Sequence, residues 1–370
     1  MSMEVYNQKL DRIKKAVALE PVDKVPFAPC ANAYWAKSNG IKIADYITNF
    51  ELACDTNIKS MLELGGVDAT QNEVFSPYLL TGMWLSNIAV PGRDISDDEL
   101  WQVLEQEIIT PEDYDKIIKD GFASWVDKFK KDVLRNPDSS LAPLFAYLPT
   151  AREKYVDAGI PCICDFLLAT PFEHFCGGRS LPIFFMEDLI DNPDTVDEVF
   201  KITMDHNMKM FRGMLETVKP NGVWIGGWRT SPNMMSMDLF DRFVWPYIKQ
   251  YTELVLEYDV IPTFHLDSNW DNAMEKFREM PDKKCILALD SKTDIRRAKK
   301  ILGDKMCILG DVPAELLAFG TPEQVFDHTT ELIRDVGPTG YILASGCDIP
   351  ANAKKENVQA MNDAAMKYPL

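Results

Sequence analysis

The sequence predicts an α/β fold of the (β/α)8 TIM-barrel kind, with an N-terminal helix and an inserted helical or loop region. Three observations predict it. From residue 160 onward, short apolar runs alternate with helical segments at regular spacing. Those runs are apolar throughout rather than at every second residue, as in parallel strands buried on both faces. No glycine-rich GxGxxG follows any run, which weighs against an open dinucleotide-binding sheet. Strands so regularly followed by helices over 370 residues fit a single closed barrel, taken here as one domain over 1–370.

The elements follow in order. Residues 1–20 read as an amphipathic helix leading into the domain. Val25-Pro26-Phe27-Ala28-Pro29-Cys30 is a short, proline-bounded first strand. A helix over 49–65 ends at Gly65-Gly66, and Val67-Asp68-Ala69 is the second strand. Residues 72–160 are long for a barrel connection and are expected to form an insertion or lid over the mouth. Within them, Leu79 to Arg93 reads as a hairpin or ordered loop. Thr110-Pro111-Glu112-Asp113 opens a helix, with Thr as cap, Pro at the first position and acids in the first turn. The remaining strands are placed at 160–168, 222–226, 261–266, 285–289, 306–309 and 340–344. The helices between and after them are placed at 195–217, 237–257, 271–280, 293–301, 321–335 and 355–367.

Composition narrows the function. The net charge of −18, with no long run of Lys or Arg, argues against nucleic acid as a partner. No stretch approaches the roughly 18 uninterrupted apolar residues of a membrane helix, and residues 1–15 lack a signal core, so a cytoplasmic location is expected. Eight cysteines without a CxxC pair read as mostly free, buried thiols.

In a parallel barrel the polar residues just past the strands' C-terminal ends form the active site. There this chain offers His265 and Asp267, then Asp290, then Asp311, then Cys347 and Asp348. His265 and Asp267 are two apart, so on extended backbone they point the same way. With Cys347 they form an N, O, S set suited to Zn²⁺. The other reading of the same residues is that Asp267 orients His265 and Cys347 is a small filler. Cys307 is open to either a metal or a core role; Cys162 and Cys164 read as packing. Glu173 and His174 follow a strand end and either line the pocket or start a helix. Trp228 and the run containing Met234, Met235 and Met237 suggest a soft wall for a ligand, or a packed loop. His206 and His328 lie in polar helices and read as solvated.

These strand ends resemble the uroporphyrinogen decarboxylase superfamily, which includes the corrinoid-linked methyltransferases. Pro21-Val22-Asp23-Lys24-Val25-Pro26 looks like its entry to the first strand. Gly310-Asp311-Val312-Pro313 with Gly320-Thr321-Pro322-Glu323, and Gly346-Cys347-Asp348-Ile349-Pro350 with Glu356-Asn357-Val358, look like its last turns and helix. The decarboxylases carry an arginine-rich segment after the first strand for substrate carboxylates. Here that segment, Pro29 to Ala36, has no arginine. The methyltransferases bind zinc through His-x-Cys and a distant Cys; here His265 and Cys347 match, and Asp267 stands in the middle. A carboxylate there leaves the metal a stronger Lewis acid than a second thiolate would.

The resemblance therefore implies a zinc-dependent methyltransferase that exchanges a methyl group between a small methylated compound and a corrinoid (cobalamin) carried by a partner protein. An aromatic methyl ether is the leading substrate, in the manner of an O-demethylase. It implies metal ligands His265, Asp267 and Cys347, supporting or catalytic roles for Asp290 and Asp311, and substrate contacts from Trp228, Met235 and Glu173. A homodimer is compatible with it. The alternatives are a decarboxylase acting on a porphyrinogen-like substrate and a non-catalytic corrinoid- or pterin-binding barrel.

Overall fold

The computed structural model describes residues 2–135 and 137–369. Its centre is a six-stranded parallel sheet in sequential order: β3 (Leu167–Leu168), β4 (Gly222–Gly227), β5 (Ile261–Leu266), β6 (Ile286–Leu289), β7 (Cys307–Val312) and β8 (Tyr341–Ser345). A separate antiparallel pair joins β1 (Ile88–Ala89) to β2 (Gln102–Val103). Two extended segments flank the sheet. Phe27 bridges Leu343 of β8, with Ala28 N donating to Leu343 O (3.0 Å) and Leu343 N to Pro26 O (2.8 Å). Thr70 bridges Cys162, and Asp68 N donates back to Phe27 O (2.8 Å). The expected strands at 25–30 and 160–168 are therefore shorter than the apolar runs. Pro26, Pro29 and Pro161 carry no N–H, so they leave bridges where a full ladder was expected.

The period of two sorts the strand residues into two cores. Ile286 and Ala288, Cys307 and Leu309, and Ile342 and Ala344 join an inner cluster. Their neighbours Leu287, Leu289, Ile308, Tyr341 and Leu343 join the large cluster shared with the helices. Ile13, Ala16 and Val17 of the helix Ser2–Val17 belong to the inner cluster, so that helix seals one end of it. It is tied down by Arg12, whose guanidinium bridges Asp23 (2.6 Å) and the fully buried Asp68 (2.6 Å).

The helices stand close to where the sequence puts them. The expected caps form: Thr110 makes a capping box with Asp113, Thr321 makes one with Gln324, and Ser236 accepts from Leu239 N. The predicted helix over 237–257 is two helices, Met237–Phe243 and Trp245–Glu257, meeting at Val244. Pro246 explains the break, because its ring clashes with the carbonyl one turn back. The 271–280 helix is a 3₁₀ segment, Asp271–Glu279.

Residues 72–160 are mostly helical. Leu79 to Arg93, read as a hairpin or loop, begins instead with the helix Tyr78–Trp84, and only Ile88–Ala89 is strand. The helices Pro111–Asp120, Phe122–Asp132 and Pro137–Asp157 follow. Tyr114, Phe122 and Trp125 of these helices pack edge-on or stacked against Phe175. The fully buried Arg179 binds this region to the strand-end helices. It pairs with Asp188 (2.7 and 3.0 Å), donates to Ile109 O (3.0 Å) and reaches Glu107 (2.6 Å). Tyr114 also donates to Asp188 (2.8 Å). No helix of the described residues is long and apolar enough to cross a membrane.

Arg179→Met leaves Asp188 buried without its cation. A loss of about 3–5 kcal/mol in unfolding free energy is expected, read from urea denaturation; an unchanged midpoint would contradict the role given to this pair.

Candidate metal centre at the strand ends

His265 is the fifth residue of β5, and its alternation with Ile261 and Thr263 turns it to the inner side of the sheet. The extended backbone runs one step past the strand, because Asp267 N donates to Gly227 O (3.0 Å). Asp267 thus shares His265's face. Cys347 comes from the turn after β8. That turn is set by Gly346, whose amide donates to Val312 O (3.0 Å) and where a Cβ would lie 2.8 Å from the Asp290 carbonyl carbon. Only glycine lets the chain pass so close to Asp290.

The three side chains converge. His265 Nε2 lies 3.5 Å from Asp267 Oδ1 and 3.7 Å from Cys347 Sγ. All three ligand atoms fall within 4.8 Å of one another. Zinc bound tetrahedrally, at about 2.0–2.2 Å from N or O and about 2.3 Å from S, holds its ligands roughly 3.3–3.7 Å apart. The set fits such an ion, with His265 offering Nε2, and Cys347 is exposed to solvent. Burial pulls the His265 imidazole toward the neutral form, but Asp267 and Cys347 outweigh it and lift its pKa to about 10. A second group, Glu73, Cys162 and Asp165, also lies within ligand distance. There Arg152 spans Glu73 (2.8 Å) and Asp165, so a guanidinium already neutralises the carboxylates.

Two indoles wall the site. Trp224 of β4 lies 5.0 Å from the His265 ring and Trp228 6.3 Å, centroid to centroid. The Trp228 ring occupies the space a Cβ on Gly226 would fill, 1.7 Å away. Gly226 is therefore a condition of Trp228's position. Glu173, expected to line the pocket, is fully buried. Its carboxylate accepts from Trp84 Nε1 (2.8 Å), from the amides of Trp228 (2.9 Å) and Arg229 (2.8 Å), and from Thr230 Oγ1 (3.1 Å). Its place is under the loop that carries Trp228. Arg229 stacks over Trp84 and pairs with Glu105 (3.0 Å).

Asp290 accepts from Ser268 N (2.7 Å) and Lys292 N (3.0 Å), so it braces the backbone next to Asp267. Burial raises its pKa. Asp311 is 5% exposed, and burial pushes its carboxyl up to about 8, with Asp290 adding to the rise and Arg296 opposing it. Met235 packs half-buried against the large core, whereas Met234 is exposed. His174, fully engaged, lies between Met83 O (2.9 Å) and Asn207 (3.1 Å). His206 and His328 are half-buried rather than solvated; His206 packs 5.4 Å from the Phe122 ring. Cys307 is a core thiol, with its pKa raised to about 12 by burial.

Sequence reading missed Trp224, hidden in an apolar run, and the Asn32–Asp348 contact. Asn32 donates to Asp348 through its amide (2.9 Å) and side chain (3.2 Å), seating the end of the extended 25–30 segment beside the Cys347 turn. The paired motifs after the first and last strands were the available signal.

A family model described as uroporphyrinogen decarboxylase (URO-D) matches residues 175–368, which hold all three convergent side chains. The chain belongs to the URO-D family. Curated uroporphyrinogen decarboxylases from Chlorobium luteolum and Chlorobium phaeobacteroides are 28% and 26% identical over 145 residues, 36% of this chain. The match spans 40% of the length of these relatives. A solved methyltransferase from Methanosarcina mazei superposes with a TM-score of 0.70 at 17% identity, covering 97% of this chain and 98% of that one. The fold of that solved structure thus extends over nearly the whole chain, and membership of the URO-D family supports an enzymatic role in general.

Asp311 offers a pH test. Its carboxyl titrates near 8 in the folded chain against an ordinary 3.8. A proton held more tightly in the folded state stabilises it at low pH, and that benefit is lost as pH rises through about 8. Asp311→Asn removes the penalty, so its melting temperature should gain on the parent's from pH 4 to 8 and then level off. A difference flat across that window would contradict the buried, proton-holding carboxyl.

Proposed function

We propose that this URO-D family member is a zinc-dependent methyltransferase, moving a methyl group between a small methylated substrate and a corrinoid protein. The observation that carries the reading is the convergence of His265 Nε2, Asp267 Oδ1 and Cys347 Sγ within 4.8 Å of one another, with the histidine at the distance a tetrahedral zinc would set from each of the other two. The segments 25–30 and 67–71 are read as the first two strands of an eight-stranded barrel, which puts this triad on the C-terminal rim.

Zinc held there would supply Lewis acidity to a substrate oxygen, nitrogen or sulfur. The chain's own residues do the rest. Trp224 and Trp228 flank the triad with flat apolar faces, which suits an aromatic methyl ether. Glu173 fixes the Trp228 loop through four donors, and Asp290 fixes the backbone next to Asp267. The part of 72–160 that carries Trp84 and Glu105 closes the rim around Arg229 and serves as the wall or lid of the site. A decarboxylase acting on a polycarboxylate needs free cations. The segment 29–36 has no arginine, and Arg229 is already paired with Glu105.

The test is the metal content of purified protein beside folded Cys347→Ser and His265→Ala variants. About one zinc per chain in the parent and none in either variant is expected, followed by methyl transfer from aryl methyl ethers to a Co(I) corrinoid. A parent that takes up no zinc when it is supplied would sink the reading in favour of a decarboxylase or a binding protein.

A further inference from the structure

Three buried polar atoms near the triad have no hydrogen-bond partner: Trp224 Nε1, Thr263 Oγ1 and His265 Nδ1. They belong to one patch. Trp224 and Thr263 are register partners on β4 and β5, and His265 is two residues beyond Thr263 on the same face. The Trp224 and His265 rings are 5.0 Å apart, and Trp224 packs against the inner core. Thr263 is fully buried and His265 is 7% exposed.

Their chemistry restricts what can satisfy them. An indole N–H only donates. His265 turns Nε2 toward Asp267 and Cys347, so a metal at Nε2 leaves the proton on Nδ1, which then also only donates. Two donors cannot satisfy each other; each needs an acceptor, and one water oxygen, with two lone pairs, can serve both. A hydroxyl such as Thr263's can accept from that oxygen or donate to it. A buried water needs two to four polar partners, and this patch supplies three. A carboxylate or carbonyl usually orients a metal-bound histidine, yet no such group of the described residues is bonded to Nδ1.

We propose that Trp224 Nε1 and His265 Nδ1 bind one ordered water as their shared acceptor, seated on Thr263 Oγ1, and that this water positions His265 as a metal ligand. Trp224 and Thr263 are then positioning residues that never touch the metal. This statement rests on the zinc reading above, because a metal at Nε2 is what leaves the proton on Nδ1.

The experiment pairs a high-resolution crystal structure of the zinc-loaded protein with zinc affinities from chelator competition. With zinc bound, the structure should place one water within hydrogen-bond distance of all three atoms; a dry patch or a direct bond among them would overturn the proposal. Trp224→Phe and Thr263→Val should each weaken zinc binding about 10- to 100-fold. Thr263→Ser should keep parental affinity, because it keeps the hydroxyl. The Trp224→Phe/Thr263→Val pair should be no weaker than the weaker single variant, because one water is lost in each case. Visible spectra of the Co²⁺-loaded variants should keep the parent's tetrahedral bands, showing an intact donor set. Parental affinity in both single variants, or losses that multiply in the pair, would contradict the shared water. A parent that binds no zinc would defeat the function proposed above and this proposal with it, whereas a zinc-bound parent with a dry patch would overturn this proposal alone.

Discussion

In β5, Ile261, Thr263 and His265 face the inner core while Phe264 and Leu266 face the helices. That strict alternation is the constraint on which the rest of the molecule depends. A slip of one residue would turn His265 outward and bring Phe264 to the site. The register is locked on both sides: His265 lies opposite Gly226 on β4 and Ala288 on β6. Those neighbours have little or no side chain, so the imidazole has room. The small residues Ala28, Ala69, Ala288 and Ala344 in the inner core leave the bulk to Trp224 and to the helix that seals the other end. The same geometry that buries the core therefore sets the height and direction of His265 and, one step past the strand, of Asp267.

Around that register the chain places its polar groups in layers of support. Asp290 braces the Asp267 turn, Glu173 braces the Trp228 loop, and Asp348 gathers Asn32 beside the Cys347 turn. Each of these three carboxylates accepts a backbone amide from another segment. These acids hold the turns and loops that border the triad. Asp311 differs, since no other residue offers it a hydrogen bond among the described contacts, and burial keeps its proton on.

Much of the architecture was legible because a parallel sheet writes itself as continuous apolar runs. The runs at 222–226, 261–266 and 340–344 and the caps at Thr110 and Thr321 stand where the residues put them. The strand ends then named His265, Asp267 and Cys347, and the structure brings all three together. What stayed hidden depends on three dimensions. A tryptophan inside an apolar run looks like core, so Trp224 gave no sign of its unpaired N–H. Glu173 looked like a pocket acid because its four donors come from distant or looped segments. The prolines that shorten the first strand were visible, but not which ladder bonds they would remove.

In the proposed centre one histidine, one aspartate and a single thiolate share a zinc ion. X-ray absorption at the zinc edge of the loaded protein tests it most directly. The account predicts one sulfur at about 2.3 Å, with the remaining ligands nitrogen or oxygen at about 2.0–2.2 Å. A shell with no sulfur, or with two, would contradict the site as described.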